Sequence, residues 1–241
     1  FSNTTGHNNV AVGRNALDAA TGANNNTAIG TECLTSNTTG THNVGCGYAT
    51  LEANTTGSYN TALGSVALLS VTSSSSNTGL GYNAGRSITT GAENTFVGSL
   101  CGDAITTASN NTAVGSNCLT SNNPSGCVVM GHDAGEGIGG DYNVAIGYKA
   151  ASQKCGGTSS TLNISLGYCA GYEGKGSSNI ALGKHALYGG VFCGSNNIGI
   201  GNSTGYGLND GSDNIILGRL AGYDIKDGCD NITIGRSAGY N

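Results

Sequence analysis

An Asn, a short apolar run and a Gly recur as one phrase along the whole chain, and this repeat restricts the fold more than any other feature. It reads Asn9-Val10-Ala11-Val12-Gly13, then Asn26-Thr27-Ala28-Ile29-Gly30, then Asn43-Val44-Gly45-Cys46-Gly47. The anchoring glycine returns at Gly64, Gly81, Gly98, Gly115, Gly131, Gly147, Gly167, Gly183, Gly201, Gly218 and Gly235. The spacing is 17 residues at every step from Gly13 to Gly115 and between 16 and 20 thereafter. Four residues before the anchor stands Asn9, Asn26, Asn43, Asn60, Asn77, Asn94, Asn111, Asn143, Asn163, Asn179, Asn197, Asn214 or Asn231, with Cys127 in the remaining unit. Minus three is Val, Thr or Ile. Minus two is mostly Ala or Gly, with Phe96 and Ile216 as outliers, and minus one is Val, Ile, Leu, Met or Cys. Plus three is always Ala, Cys or Thr. Plus four is Leu early (Leu17, Leu34, Leu51, Leu68) and Gly late (Gly171, Gly205, Gly222, Gly239), where Tyr172, Tyr206, Tyr223 and Tyr240 follow it.

Apolar residues at minus three and minus one alternate with small ones, which is the period of a strand. A unit of 17 residues is too short for a strand–helix–strand crossover. With 43 Gly in 241 residues and only 10% charged side chains, helices are disfavoured. The pattern predicts an all-β chain: one elongated parallel β-solenoid, or β-roll, of about 14 coils over residues 1–241. Equivalent residues then stack about 4.8 Å apart. The minus-one column is expected to form an aliphatic ladder inside the coil and the Asn column an amide ladder. The small minus-two column is expected to face outward, where it would let another chain or layer approach. The anchor glycine supplies a corner of positive φ, and the Thr-Thr-Gly segments at Thr4, Thr38, Thr55 and Thr89 form the opposite turn.

The pattern Asn-Thr-Ala-Val-Gly-x-x-Ala-Leu resembles the head repeat of trimeric autotransporter adhesins, the YadA-like head, and the related repeat of phage and algal-virus tail-fibre shafts. The resemblance runs from Asn9-Val10-Ala11-Val12-Gly13 to Asn231-Ile232-Thr233-Ile234-Gly235. It implies a left-handed parallel β-roll, three chains side by side, and a surface-binding role.

Nine Lys and Arg, scattered and without a basic stripe, argue against nucleic acid as a partner. No apolar run approaches the length of a membrane-spanning helix, so membrane insertion is not expected. The chain lacks an initiator Met and a signal peptide and reads as a segment cut from something longer. No Gly-x-Ser-x-Gly elbow is present and the carboxylates are few and isolated, so no catalytic residue can be named and enzyme activity is not expected. His7, His42, His132 and His185 fall in four different columns and read as isolated surface residues.

Nine cysteines suggest an oxidising, extracellular setting. Cys101 and Cys118 share the plus-three column of adjacent coils, at a spacing inside the disulfide window, and form a candidate bridge, against the plainer reading of two small buried thiols in an Ala-sized slot. Cys33 and Cys46, in what read as inward columns of adjacent coils, are a second candidate pair. Cys155, Cys193 and Cys229 lie in turns and can pair across loops or chains. Asp210 and Asp213 recur one coil on as Asp227 and Asp230, so stacking brings carboxylates together as a candidate calcium site, against the plainer reading of a solvated Asp-Gly turn. No other cofactor is implied. Among the Asn-x-Ser/Thr sequons, Asn37 and Asn54 lie in turns and are expected to be accessible as candidate glycosylation sites, against the plainer reading that a chain this rich in Asn, Thr and Ser makes sequons by accident.

The sequence therefore points to an extracellular fibre or adhesin shaft at a cell or virion surface. Its partner would be itself, as a homotrimer or end-to-end filament, with a cell-surface or carbohydrate receptor beyond. An ice- or carbohydrate-binding solenoid is the alternative, and a solenoid enzyme acting on polysaccharide ranks last.

Overall fold

The computed structural model describes residues 2–120, 122–153, 160–189 and 193–240, and the chain divides into two compact units, Phe1–Asn123 and Pro124–Asn241. Each is a parallel β-solenoid with one three-residue strand per coil, and no helix occurs among the described residues. In the first unit β1 (Val10–Val12), β2 (Thr27–Ile29), β3 (Val44–Cys46), β4 (Thr61–Leu63), β5 (Thr78–Leu80), β6 (Thr95–Val97) and β7 (Thr112–Val114) pair in sequence order. In the second, β8 (Val128–Met130), β9 (Val144–Ile146), β10 (Ile164–Leu166), β11 (Ile180–Leu182), β12 (Ile198–Ile200), β13 (Ile215–Leu217) and β14 (Ile232–Ile234) do the same. Every strand occupies minus three to minus one, and like columns pair. The 20-residue step from Gly147 to Gly167 leaves this register intact, so its additional residues sit outside the strands.

The anchor glycines end each strand at a φ only glycine adopts readily. At Gly64 φ is +122°, and a Cβ there would lie 2.5 Å from the carbonyl oxygen of Gly81 in the next coil. The leucines at plus four are also left-handed, with φ of 54°, 52°, 51° and 49° at Leu17, Leu34, Leu51 and Leu68. This conformation is unfavourable for a side chain with a Cβ, roughly 1–2 kcal/mol. Here it turns each leucine into the coil, where all four are fully buried.

That inward turn reverses the expected sidedness of the strands. Minus two is the interior column: Ala28, Ala62, Phe96, Ala113, Ala145 and Ile216 have no exposed surface. Minus three and minus one point outward, and Val10, Val12, Ile29, Val44, Leu63 and Met130 are exposed. The aliphatic columns are therefore not the core, and the small column is not an outer strip. The physical reason is volume. Leu at plus four fills the lumen from the corner, and the strand can add only a small side chain beside it. A Cβ on Gly79 would come within 2.8 Å of Leu68 Cγ, and one on Gly199 within 2.7 Å of Leu187 Cγ.

At two glycine corners the strand supplies the bulk. Phe96 lies between Gly85 and Gly102, where added Cβ atoms would meet its ring at 2.9 and 2.6 Å. Ile216 likewise lies between Gly205 and Gly222, at 3.2 and 3.0 Å. Buried Ile88, Ile105 and Leu208 at plus seven complete these coils. Replacing Phe96 by Ala should cost about 3–5 kcal/mol, as a buried aromatic lost to a cavity. Gly85→Leu alone should also destabilise, because its side chain enters space the Phe96 ring holds. Combined, the two should melt above Phe96→Ala by at least about 1 kcal/mol in a denaturation cycle. A double variant no more stable than Phe96→Ala would contradict this exchange of volume.

Candidate functional site

The outer face of the sheet is the largest chemically uniform surface. In the second unit both outward columns are aliphatic in every coil: Val128, Val144, Ile164, Ile180, Ile198, Ile215 and Ile232 at minus three, and Met130, Ile146, Leu166, Leu182, Ile200, Leu217 and Ile234 at minus one. Seven strands about 4.8 Å apart and about 10 Å long make a strip of about 300 Å². Its area is that of the largest apolar patch on an ordinary monomer, and what sets it apart is the unbroken regularity of its columns. In the first unit the minus-three column mixes Val10 and Val44 with Thr27, Thr61, Thr78, Thr95 and Thr112, so the same face is half polar.

Behind the strands runs the asparagine ladder. Each side-chain oxygen accepts the backbone N–H of the Asn one coil on, as from Asn60 to Asn43 at 2.9 Å and from Asn77 to Asn60 at 3.0 Å. Each amide nitrogen donates to a turn carbonyl, as Asn60 does to Ser74 at 2.9 Å. The same bonds link Asn9 to Asn26 and Asn43, Asn94 to Asn111, and Asn143 through Asn163, Asn179, Asn197 and Asn214 to Asn231. At the one rung without Asn, Cys127 Sγ accepts from the Asn143 N–H at 3.4 Å. Asn37 and Asn54, expected in accessible turns, are instead fully buried. Asn54 Nδ2 donates to Asn37 Oδ1 and to the Gly57 carbonyl, both at 3.0 Å, and Asn37 Nδ2 to the Gly40 carbonyl at 3.0 Å. Their amides are committed to the interior, which removes them as glycan acceptors in the folded chain. The next coil places Val71 at this position, so Asn54 Oδ1 is left without a partner.

Cys101 and Cys118 form a disulfide between adjacent coils, with Cα atoms 4.8 Å apart. Cys33 and Cys46 do not. Cys33 faces the lumen, where Thr50 Oγ1 donates to its sulfur at 3.0 Å, whereas Cys46 lies at minus one, on the outer side. The reversed sidedness of the strand separates them. Burial pushes the Cys33 and Cys127 thiols above their ordinary pKa. Cys193 and Cys229 are exposed thiols, and Cys155 lies outside the described residues. Asp210, Asp213, Asp227 and Asp230 are all exposed. Asp213 Oδ1 accepts from Asn196 Nδ2 at 3.0 Å. Among the described residues no three His, Cys, Asp or Glu converge on a metal position.

Two outer features escaped the sequence reading. One is a threonine row in the first unit. Thr21, Thr38, Thr55, Thr72 and Thr89 each donate their hydroxyl to the carbonyl of the residue one coil on, at 2.9–3.3 Å. Thr39, Thr56 and Thr90 stand beside them, exposed. The other is aromatic, in the second unit. Tyr172, Tyr188, Tyr206, Tyr223 and Tyr240 stack along the coils with ring centroids 4.9–5.2 Å apart. Tyr148 and Tyr168 stack at 5.2 Å in a second column. His185 touches both columns, 5.4 Å from Tyr168 and 4.8 Å from Tyr188. Its partial burial, with Lys184 adjacent, holds its pKa below the usual histidine value. His132 stacks on Tyr148 and His42 on Tyr59, so these histidines are not isolated. The readable signal was Tyr at plus five in consecutive units. Tyr188 broke it only by following Leu187 in place of Gly.

Peptide mapping without reductant should recover Cys101 joined to Cys118, and reduction should lower stability by about 2–3 kcal/mol for so short a loop. In native protein Cys193 and Cys229 should alkylate first. Cys33 and Cys127, buried and poor in thiolate, should react only after denaturation. Rapid native labelling of Cys33 would contradict the inward placement of the plus-three column.

The chain matches no protein-family model, no curated protein and no solved structure.

Proposed function

We propose that the chain is a structural fibre or adhesin shaft of a cell or virion exterior, assembled side by side with further copies of itself. The observation that carries this reading is the aliphatic outer face of the second unit, repeated without interruption in seven coils. Burying such a face against an identical one removes apolar area from water at about 25 cal/mol per Å². The resemblance of the repeat to adhesin heads favours three copies around one axis. The disulfide between Cys101 and Cys118 suits an oxidising exterior. In this role the protein provides reach and attachment to a cell-surface or carbohydrate receptor, and no catalytic residue is assigned.

Sedimentation of the purified chain should give a trimer. Ile164→Asp and Ile215→Asp, both outward on that face, should each weaken association about tenfold or more, since a carboxylate is buried in place of an alkyl group. Because both positions point away from the lumen, melting of the dissociated chain should shift by less than about 0.5 kcal/mol. A wild-type chain that stays monomeric at all concentrations would overturn the assembly.

The threonine row of the first unit favours a second reading, an ice-binding face, because its hydroxyls repeat with one hydrogen-bond pattern at the coil spacing and exposed threonines stand beside them. The shaft reading expects no effect of the protein on ice recrystallisation. Inhibition that is lost on Thr39→Lys, Thr56→Lys and Thr90→Lys together would replace it.

A further inference from the structure

The tyrosines of the second unit are placed for a chemistry that neither assembly nor attachment uses. Five phenols stand one per coil, each ring 4.9–5.2 Å from the next, and Tyr206 and Tyr223 lie within 3° of parallel. Stacked along the axis, the rings turn their faces to one another. They are therefore poor platforms for a sugar, which needs an open aromatic face. Tyr206 and Tyr223 are partly exposed and Tyr240 is 51% exposed, so the row meets its oxidant at the protein surface.

We propose that this row is a site of oxidative phenol coupling, in which adjacent tyrosines are joined as dityrosine between coils. A haem peroxidase with hydrogen peroxide is the oxidant class required. One-electron oxidation of each phenol sends its hydroxyl proton to water and leaves a phenoxyl radical with spin on the ring carbons ortho to oxygen. Two radicals on neighbouring rungs form one carbon–carbon bond between ortho carbons. The hydrogen on each of those carbons then moves as a proton to the oxygen, restoring both phenols. The pair has lost two hydrogen atoms, and one peroxide has been reduced to two waters. Coupling needs two radicals within contact, and the stack supplies the second ring at a fixed short distance where dilute chains cannot. The cross-link would tie coils together covalently, as the bridge from Cys101 to Cys118 does in the first unit.

The test treats the purified chain at low concentration with peroxidase and peroxide and maps the products by mass spectrometry. Peptides joined within one chain through Tyr188, Tyr206, Tyr223 or Tyr240, lighter by two hydrogens, should exceed by about tenfold any involving Tyr59, Tyr82 or Tyr142. Those three are more exposed, at 61%, 55% and 63%, but have no tyrosine ring stacked on them among the described residues. The double variant Tyr188→Phe and Tyr223→Phe keeps the stack and leaves no two adjacent phenols in the row. It should fold and melt as the parent, lose the row's cross-links and still couple Tyr148 to Tyr168. Coupling that follows exposure, products joined mainly between chains, or undiminished cross-linking in the double variant would overturn the proposal.

Discussion

Lumen volume beside each strand is shared between the strand's minus-two residue and the left-handed corner residue, so what stands at the corner limits what the strand can place there. When Leu17, Leu34, Leu51 or Leu68 turns inward, the strand beside it must present Ala or Gly. When the corner is Gly85, Gly102, Gly205 or Gly222, Phe96 or Ile216 takes the space. Because strand residues alternate in direction, fixing minus two inside fixes minus three and minus one outside. The aliphatic outer face, on which the proposed assembly rests, is thus a consequence of where the leucine goes.

Strands of three residues leave most of each coil to turns, whose backbone groups must be satisfied by the neighbouring coils. The asparagine side chain does part of this work, receiving an N–H from one neighbour and reaching a turn carbonyl. A buried donor left unpaired costs about 1–3 kcal/mol, so each rung depends on the next. The thiol at Cys127 marks how little the position tolerates: the replacement residue still offers an acceptor to the Asn143 N–H. Asn37 and Asn54 show the same chemistry inside the first unit, in two rungs between apolar ones.

Periodicity made the fold legible. The spacing of the anchors, the strand before each and the stacking of Cys101 on Cys118 follow from counting residues. Sidedness was not legible, because alternation says that two columns share a face without saying which face is wet. The usual presumption that aliphatics go inside fails when the lumen is already filled from a corner. The contrast of Leu17 with Ala28 against Gly85 with Phe96 held part of that information in the sequence. The burial of Asn37 and Asn54 had the same cause, since plus seven is a lumen position wherever Ile88 or Ile105 occupies it. The aromatic row was half visible, as a Tyr column whose ring contacts required the coil to stack.

A scaffold closed by its inward columns leaves its outward ones free. Substitutions at minus three or at the second threonine of the Thr-Thr-Gly turn change surface chemistry without touching the lumen. The two units use that freedom differently. One carries threonine hydroxyls and a disulfide, and the other an aliphatic face and stacked tyrosines. Any residue placed in an outward column is repeated about every 4.8 Å in register by its neighbours. A single favourable interaction is thereby multiplied along the coils: an alkyl contact becomes a strip, a phenol a stack, a hydroxyl a row. This multiplication, and not any one residue, is what the proposed assembly relies on.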